Sequence, residues 1–200
     1  MSKRYFKTKF GFTIIETMIA ISLFLVVVMI GINSLLNASV IHQKSQDLRS
    51  IVDNLNFIME DMSKNIRTGY NYYCITGGDT LSNVATTKSG SSCWGIAFES
   101  ATGSTSDAND QWAYYISGGK IFKSTQGPYV ASAFVQLTPD EVVLESSPTI
   151  AGFSVLGAEP PPANSQQPFV IIRLVGKITY KNIVSPFSIQ TSASQRLVDI

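Results

Sequence analysis

The sequence has few of the residues on which enzyme catalysis usually depends. Its 200 residues include one histidine, His42, and two cysteines, Cys74 and Cys93. A single histidine beside a long apolar stretch excludes a Ser-His-Asp or Cys-His arrangement in the region that follows it. The cysteines lack both the C-x-x-C spacing of redox sites and the further ligands of a zinc site, and no glycine-rich phosphate loop is present. The inventory therefore predicts a protein that is not an enzyme and has no cofactor.

Charge is also scarce, and it is unevenly distributed. Charged residues make up 14% of the chain, against roughly 25% in typical soluble domains. Residues 1–11 contain four basic residues and no acidic one, which leaves 11 of the 15 basic residues and all 14 acidic residues from Phe12 onward, a net charge of −3. A broad basic surface of the kind that binds nucleic acid is therefore not expected.

The longest apolar run covers residues 12–36. Between residues 17 and 43 the only ionisable side chain is that of His42. About 20 apolar residues in a helix cross the roughly 30 Å of a bilayer core, so the run predicts a transmembrane helix. The basic residues before it predict a cytoplasmic N-terminus and a translocated C-terminal region. A cleaved secretory signal peptide and a plain signal anchor remain alternatives, because residues 33–39 contain a poor but conceivable cleavage site.

Residues 37–69 continue this helix with an amphipathic pattern. No proline interrupts the segment, and Gly69 stands where a C-terminal cap is expected. Apolar residues recur at helical spacing: Ile41, Leu48, Ile51, Val52, Leu55, Ile58, Met59, Met62 and Ile66. Such a stripe predicts a helix face that packs on the chain's own globular domain.

Residues 70–200 have the pattern of a β-rich domain. The Gly118-Gly119 pair between two apolar runs predicts a hairpin. The Gly-, Ser- and Thr-rich residues 76–92 predict a long loop, and the proline-rich residues 159–165 an exposed one. Strands are predicted over residues 94–99, 111–117, 120–124, 133–137, 141–144, 150–156, 168–181 and 185–192. The expected class is α+β, with a long N-terminal helix packed on an antiparallel β-sheet or two small sheets.

The two cysteines bracket the predicted long loop. Because Cys74 and Cys93 both lie in the region predicted to be outside the cytoplasm, a disulfide is expected between them. Closing a loop of about 20 residues stabilises a fold by roughly 3 kcal/mol in the chain-entropy model.

The N-terminal residues carry one specific resemblance. A basic leader ends in Gly11, Phe12 follows it, and Glu16 is a lone carboxylate four residues into the apolar run. A carboxylate at membrane depth is unfavourable by about 2.5–3.5 kcal/mol or more, so it usually has a partner. Over about residues 3–32 the chain resembles the type IV prepilin and pseudopilin family, whose processing motif is glycine, phenylalanine and then glutamate.

The resemblance implies a processing and assembly pathway. A membrane prepilin peptidase would remove residues 1–11 by cutting between Gly11 and Phe12 on the cytoplasmic side, and would N-methylate Phe12. Glu16 would then meet the terminal amine of a neighbouring subunit. The implied partners are other pilin or pseudopilin subunits, the peptidase/methylase, the inner-membrane assembly platform and membrane lipid.

Weaker similarities concern the subtype. Residues 61–67, 113–124 and 190–196 look like segments of minor pilins and of J-type minor pseudopilins of type II secretion. The absence of a proline near Asn33 also favours a minor subunit. The expected product is an inner-membrane protein with an extracytoplasmic head that joins a type IV pilus or a type II secretion-like filament. The alternatives are an anchored binding module that does not polymerise and an adhesin at a filament tip.

One weak metal signal remains in the β-rich region. Asp107, Asn109 and Asp110 have calcium-binding side chains, and several members of the resembled family bind calcium through such loops. The segment lacks the glycine and the bidentate glutamate of a standard calcium loop. A solvated turn is the expected structure, and calcium is the alternative.

Overall fold

The computed structural model describes residues 11–77, 79, 86–128, 131–145, 152–160, 162, 164–180 and 183–196. The predicted leader, residues 1–10, lies outside the described residues. The chain forms two compact units, Met1–Asp47 and Leu48–Ile200. The helix α1, Ile14–Thr68, contributes residues to both.

In the first unit the described structure is the N-terminal part of α1. Thr13 precedes the helix, and its carbonyl accepts hydrogen bonds from the backbone N–H groups of Glu16 and Thr17. Between Phe12 and Ile41 the large apolar side chains are exposed. Ile41, placed by the sequence on the buried stripe, is among them, so that assignment was wrong. It lies before Leu48, where the second unit begins.

In the second unit one face of α1 is buried. The core residues are those the helical spacing predicts: Ile51, Leu55, Ile58, Met59, Met62 and Ile66. Val52 was assigned to the same stripe, but it is 41% exposed. Its position next to Ile51 turns it by about 100° away from the buried face.

The helix ends where the sequence places its cap. The Gly69 N–H donates to the carbonyl oxygens of Asn65 and Ile66. A Cβ at Gly69 would lie 2.4 Å from Phe98 Cδ2. Glycine is therefore required here because the chain passes directly against a buried aromatic ring.

Ten strands follow in the described part of the chain. They are β1 Tyr70–Ile75, β2 Gly90–Cys93, β3 Gly95–Glu99, β4 Gln111–Ser117, β5 Lys120–Ser124, β6 Val135–Gln136, β7 Val142–Leu144, β8 Phe153–Leu156, β9 Phe169–Tyr180 and β10 Ile183–Ser194. One sheet has the order β1-β3-β4-β5-β6, and the other has the order β10-β9-β8-β2, with β7 also pairing with β9. All of these strand pairs are antiparallel.

The predicted class, a long N-terminal helix packed on antiparallel β-structure, is confirmed. The buried face of α1 shares one core with Phe98 and Tyr114 of the first sheet and with Phe153 and Ile172 of the second. The strand predictions for β4 and β5 match the structure residue for residue, and β9 with β10 forms one long hairpin.

One strand prediction and one loop prediction were wrong in part, and one strand was missed. In place of the strand expected over residues 133–137, the structure has a 3-10 helix at Ala131–Ala133 and the two-residue strand β6. The loop expected over residues 76–92 ends early, because Gly90–Cys93 is a strand that pairs with β8. No strand was predicted at β1, although Tyr70–Ile75 pairs with β3.

Candidate functional site

The processing residues predicted from the sequence lie just before α1. Gly11 and Phe12 are outside the helix and exposed, with Phe12 at 80% of its maximum. A Cβ at Gly11 would meet no atom within 4 Å. The peptide bond between these two residues is therefore open to an enzyme that binds an extended backbone.

Glu16 lies in the first turn of α1, where two physical roles coincide. Thr13 Oγ1 accepts a hydrogen bond of 3.4 Å from the Glu16 N–H. With Thr13 as the N-cap, Glu16 occupies the third helical position, which gives the Thr-x-x-Glu spacing of a capping box. A carboxylate here also interacts favourably with the positive end of the helix dipole. The sequence reasoning missed the contact between Thr13 Oγ1 and the Glu16 N–H, although the spacing alone would have indicated it.

An apolar surface covers the rest of α1 in the first unit. Eighteen large apolar side chains between Phe12 and Ile41 are exposed. The hydroxyls of Thr17 and Ser22 donate to the carbonyl oxygens of Ile14 and Ile19, at 2.8 and 2.9 Å, so these polar groups are satisfied within the helix. The helix is long and apolar enough to cross a membrane. A surface of this kind is stable only when lipid or other apolar chains cover it.

The expected disulfide between Cys74 and Cys93 is present in the structure. Their Cα atoms are 5.3 Å apart, and both residues are fully buried. The bond ties β1 of the first sheet to β2 of the second. A Cβ at Gly90 would lie 2.4 Å from Cys74 Sγ, so the bridge also requires a glycine at the start of β2.

The loop at residues 100–110 contains the calcium candidates, and their side chains are used locally. Asp107 Oδ1 accepts hydrogen bonds of 2.9 Å from both the N–H and the Nδ2 of Asn109. These bonds lower the pKa of the Asp107 carboxyl. Asp110 Oδ2 accepts a 2.7 Å bond from the Ser104 N–H. Within the described residues, no three His, Cys, Asp or Glu side chains are grouped so as to hold a metal ion.

A polar cluster connects α1 to the first sheet, and the sequence reasoning did not anticipate it. Lys123 Nζ lies 2.9 Å from Asp61 Oδ2. Asn65 Nδ2 donates to Asp61 Oδ1 at 3.0 Å and to the Tyr114 hydroxyl at 2.9 Å. Burial raises the pKa of Tyr114, so its hydroxyl stays neutral. The cluster fixes the rotation of the helix on strands β4 and β5.

The end of α1 is held by further bonds from the rest of the second unit. The Tyr72 hydroxyl on β1 donates to the Ile66 and Gly69 carbonyl oxygens at 2.6 and 2.5 Å. After β10, the Arg196 N–H donates to the Arg67 carbonyl at 2.8 Å. The last turn of the helix is therefore anchored from two different parts of the chain.

A comparison with protein-family models, with curated proteins and with solved structures finds no match to this chain.

Proposed function

We propose that this chain is a non-enzymatic structural subunit, a minor pilin or pseudopilin, that assembles through its N-terminal helix into a type IV pilus or a type II secretion-like filament. The observation that carries the proposal is the start of α1. There an exposed Gly11–Phe12 bond, a carboxylate in the first helical turn and a largely exposed apolar helix surface follow one another between residues 11 and 41.

The exposed apolar surface of α1 fits two successive environments. Lipid would cover residues 12–36 in the membrane, and the helices of other subunits would cover them after assembly. Both environments satisfy the same requirement, because each keeps large apolar side chains from water. A helix that only anchors an enzyme would need lipid around it but no contact with other subunits, and it would not need a carboxylate near its membrane end.

The exposed Gly11–Phe12 bond supports leader removal by a prepilin peptidase. Cleavage there would create a positively charged amine at Phe12, four residues before Glu16. Two opposite charges in a weakly solvated environment attract strongly, so a subunit's Glu16 would pair with the amine of its neighbour and fix the register between them.

The N-terminus of the protein isolated from native membranes tests the processing step. Intact-mass and N-terminal peptide mass spectrometry should find a chain that begins at N-methylated Phe12. A chain that retains residues 1–11 and is monomeric in detergent would contradict the proposal. That result would favour the membrane-anchored binding module instead.

Two substitutions at Glu16 separate intersubunit pairing from helix capping. Glu16→Val removes both the charge and the side-chain oxygens, whereas Glu16→Gln keeps the capping-box spacing and a side-chain acceptor but removes the charge. We expect both variants to be processed and stable yet absent from sheared filaments, as judged by immunoblotting. Normal incorporation of Glu16→Gln would contradict pairing between the Glu16 charge and the amine of a neighbouring subunit.

A further inference from the structure

Two buried carboxylate oxygens meet near the end of β3 without a hydrogen-bond donor. Glu99, the last residue of β3, is 2% exposed. Its Oε1 accepts a 2.7 Å hydrogen bond from Gln111 Nε2, but its Oε2 is buried without a partner. Asp110 Oδ1 is also buried without a partner. Leaving one such acceptor unsatisfied costs about 1–3 kcal/mol, and more when it is charged, so the pair requires an explanation.

The two carboxyl groups are neighbours across the sheet. Glu99 pairs with Gln111 in the β3–β4 register, and Asp110 directly precedes Gln111. Burial raises the pKa of Glu99, and the charge and side-chain hydrogen bond of Asp110 raise it further. A hydrogen bond between two carboxyl groups requires a proton on one of them, because ionised carboxylates only accept.

The other groups around the pair do not supply a positive charge. Tyr70 on β1 pairs with Glu99, and its own pKa is raised by burial and by the charges of Glu99 and Asp110. Asp107 adds a further negative charge from the same loop. Among the described residues, neither Glu99 nor Asp110 forms a salt bridge.

A proton fits this site better than a metal ion does. Calcium takes six to eight oxygen ligands. The described residues hold no group of three or more acidic, histidine or cysteine side chains that could bind a metal. One proton shared by two oxygens needs no further ligand and removes the repulsion between two buried charges.

The same pair shapes the loop above it. Asp110 Oδ2 accepts the Ser104 N–H at 2.7 Å, and the Tyr70 hydroxyl donates to the Gly103 carbonyl at 2.7 Å. A Cβ at Gly103 would lie 3.1 Å from Glu99 Oε2, so the loop passes directly over the buried carboxyl. Mutual repulsion of Glu99 and Asp110 would therefore push on the loop itself.

We propose that a proton on Glu99 Oε2 is donated to Asp110 Oδ1, that this bond holds residues 100–110 over the end of β3, and that loss of the proton releases them. The sign of the pH dependence follows from linkage. A carboxyl whose pKa is higher in the folded state binds more protons folded than unfolded. Its contribution to stability is therefore complete at acidic pH and is lost as the pH rises through the raised pKa.

Hydrogen exchange on the full chain in detergent tests whether this proton holds residues 100–110 in place. Exchange of a peptide covering residues 100–110 is measured from pH 5 to pH 8 and corrected for intrinsic rates. We expect loop protection to fall with rising pH, by about tenfold for each unit by which the pKa of Glu99 is raised. Protection that does not change with pH would overturn the proposal.

Two matched variants identify the responsible groups. Asp110→Asn keeps an acceptor for the Ser104 N–H and gives Glu99 Oε2 a donor, so its loop should stay protected at every pH. Asp107→Asn removes an exposed carboxylate from the same loop. Protection in this variant should still fall with rising pH, at a slightly lower pH than in the unmodified chain, because the charge of Asp107 contributes to the raised pKa of Glu99. An unchanged pH dependence in Asp110→Asn would contradict the shared proton. If millimolar calcium protects the loop and this protection is lost in Asp110→Asn, the site binds a cation and the shared-proton proposal is wrong.

Titration of the unmodified chain keeps the proposal testable if a variant fails to fold. The Glu99 carboxyl is followed by NMR in protein labelled with carbon-13 at glutamate side chains and assigned with Glu99→Gln. A midpoint above the ordinary glutamate value of about 4.3 is expected. A midpoint at or below that value would show that the pair holds no shared proton.

Discussion

The two parts of α1 are built from similar apolar residues but bury them differently. In the first unit, residues 14–41 expose apolar side chains on every side of the helix. In the second unit, one stripe from Ile51 to Ile66 is buried, and the opposite face is polar apart from Phe57, which is 71% exposed. The first part is also the more apolar one, because Glu16 is the only charged residue between 14 and 41, whereas the second part mixes apolar and charged residues. The distribution of the apolar side chains around the helix then determines which surroundings each part requires. A uniformly apolar helix requires an apolar solvent, and a striped helix requires one apolar surface.

A pair of methionine substitutions tests this comparison with the largest expected effect. Met62 is fully buried and Met29 is 68% exposed, and both lie on α1. Met62→Ala should lower the free energy of unfolding by about 2–5 kcal/mol, because it leaves a cavity in the core. Met29→Ala should change it by no more than about 0.5 kcal/mol. Thermal unfolding of the full chain in detergent measures both, and equal effects would refute the distinction.

Removal of the disulfide should destabilise only the second unit. The double substitution Cys74→Ser and Cys93→Ser should cost about 3 kcal/mol in the chain-entropy model. Near-ultraviolet circular dichroism should report earlier loss of aromatic packing on heating. Exchange protection of residues 14–41 in detergent should stay unchanged, and a parallel loss there would show that the two parts of α1 unfold together.

Two glycine substitutions test the same comparison, and the effect expected in the first unit is small. At Gly31 an added Cβ meets no atom within 4 Å, so Gly31→Ala should raise helix stability by about 0.5–1 kcal/mol. At Gly69 the added Cβ would clash with Phe98, so Gly69→Ala should destabilise the second unit. Circular dichroism melts of the two variants should shift in opposite directions. A stabilising effect at Gly69 would mean that Phe98 moves freely.

The sequence predicts those elements whose pattern is carried by neighbouring residues. The helix end at Thr68, the hairpin of β4 and β5 and the long strand β9 each have local periodicity and a local turn or cap signal. The disulfide followed from the cysteine count and the expected compartment. At the start of α1, the Thr13–Glu16 capping contact was equally local and was overlooked.

The features that were missed depend on residues far apart in the chain. Strand β2 has the sequence Gly-Ser-Ser-Cys, which carries no apolar alternation, and it forms because β8 and the disulfide hold it. The Glu99–Asp110 pair results from the β3–β4 register. Single-sequence patterns do not contain strand register, since it is set by the packing of the whole sheet.

The anchoring of the last turn of α1 also has a mechanical consequence. Tyr72, Tyr114 and the Arg196 N–H reach this part of the helix from three separate places in the second unit. Because these bonds join the same turn from separate elements, a pull on the helix would load them together rather than one after another. Detaching the helix would then require several bonds to break together, so the second unit should hold α1 against tension better than the strength of any single bond suggests.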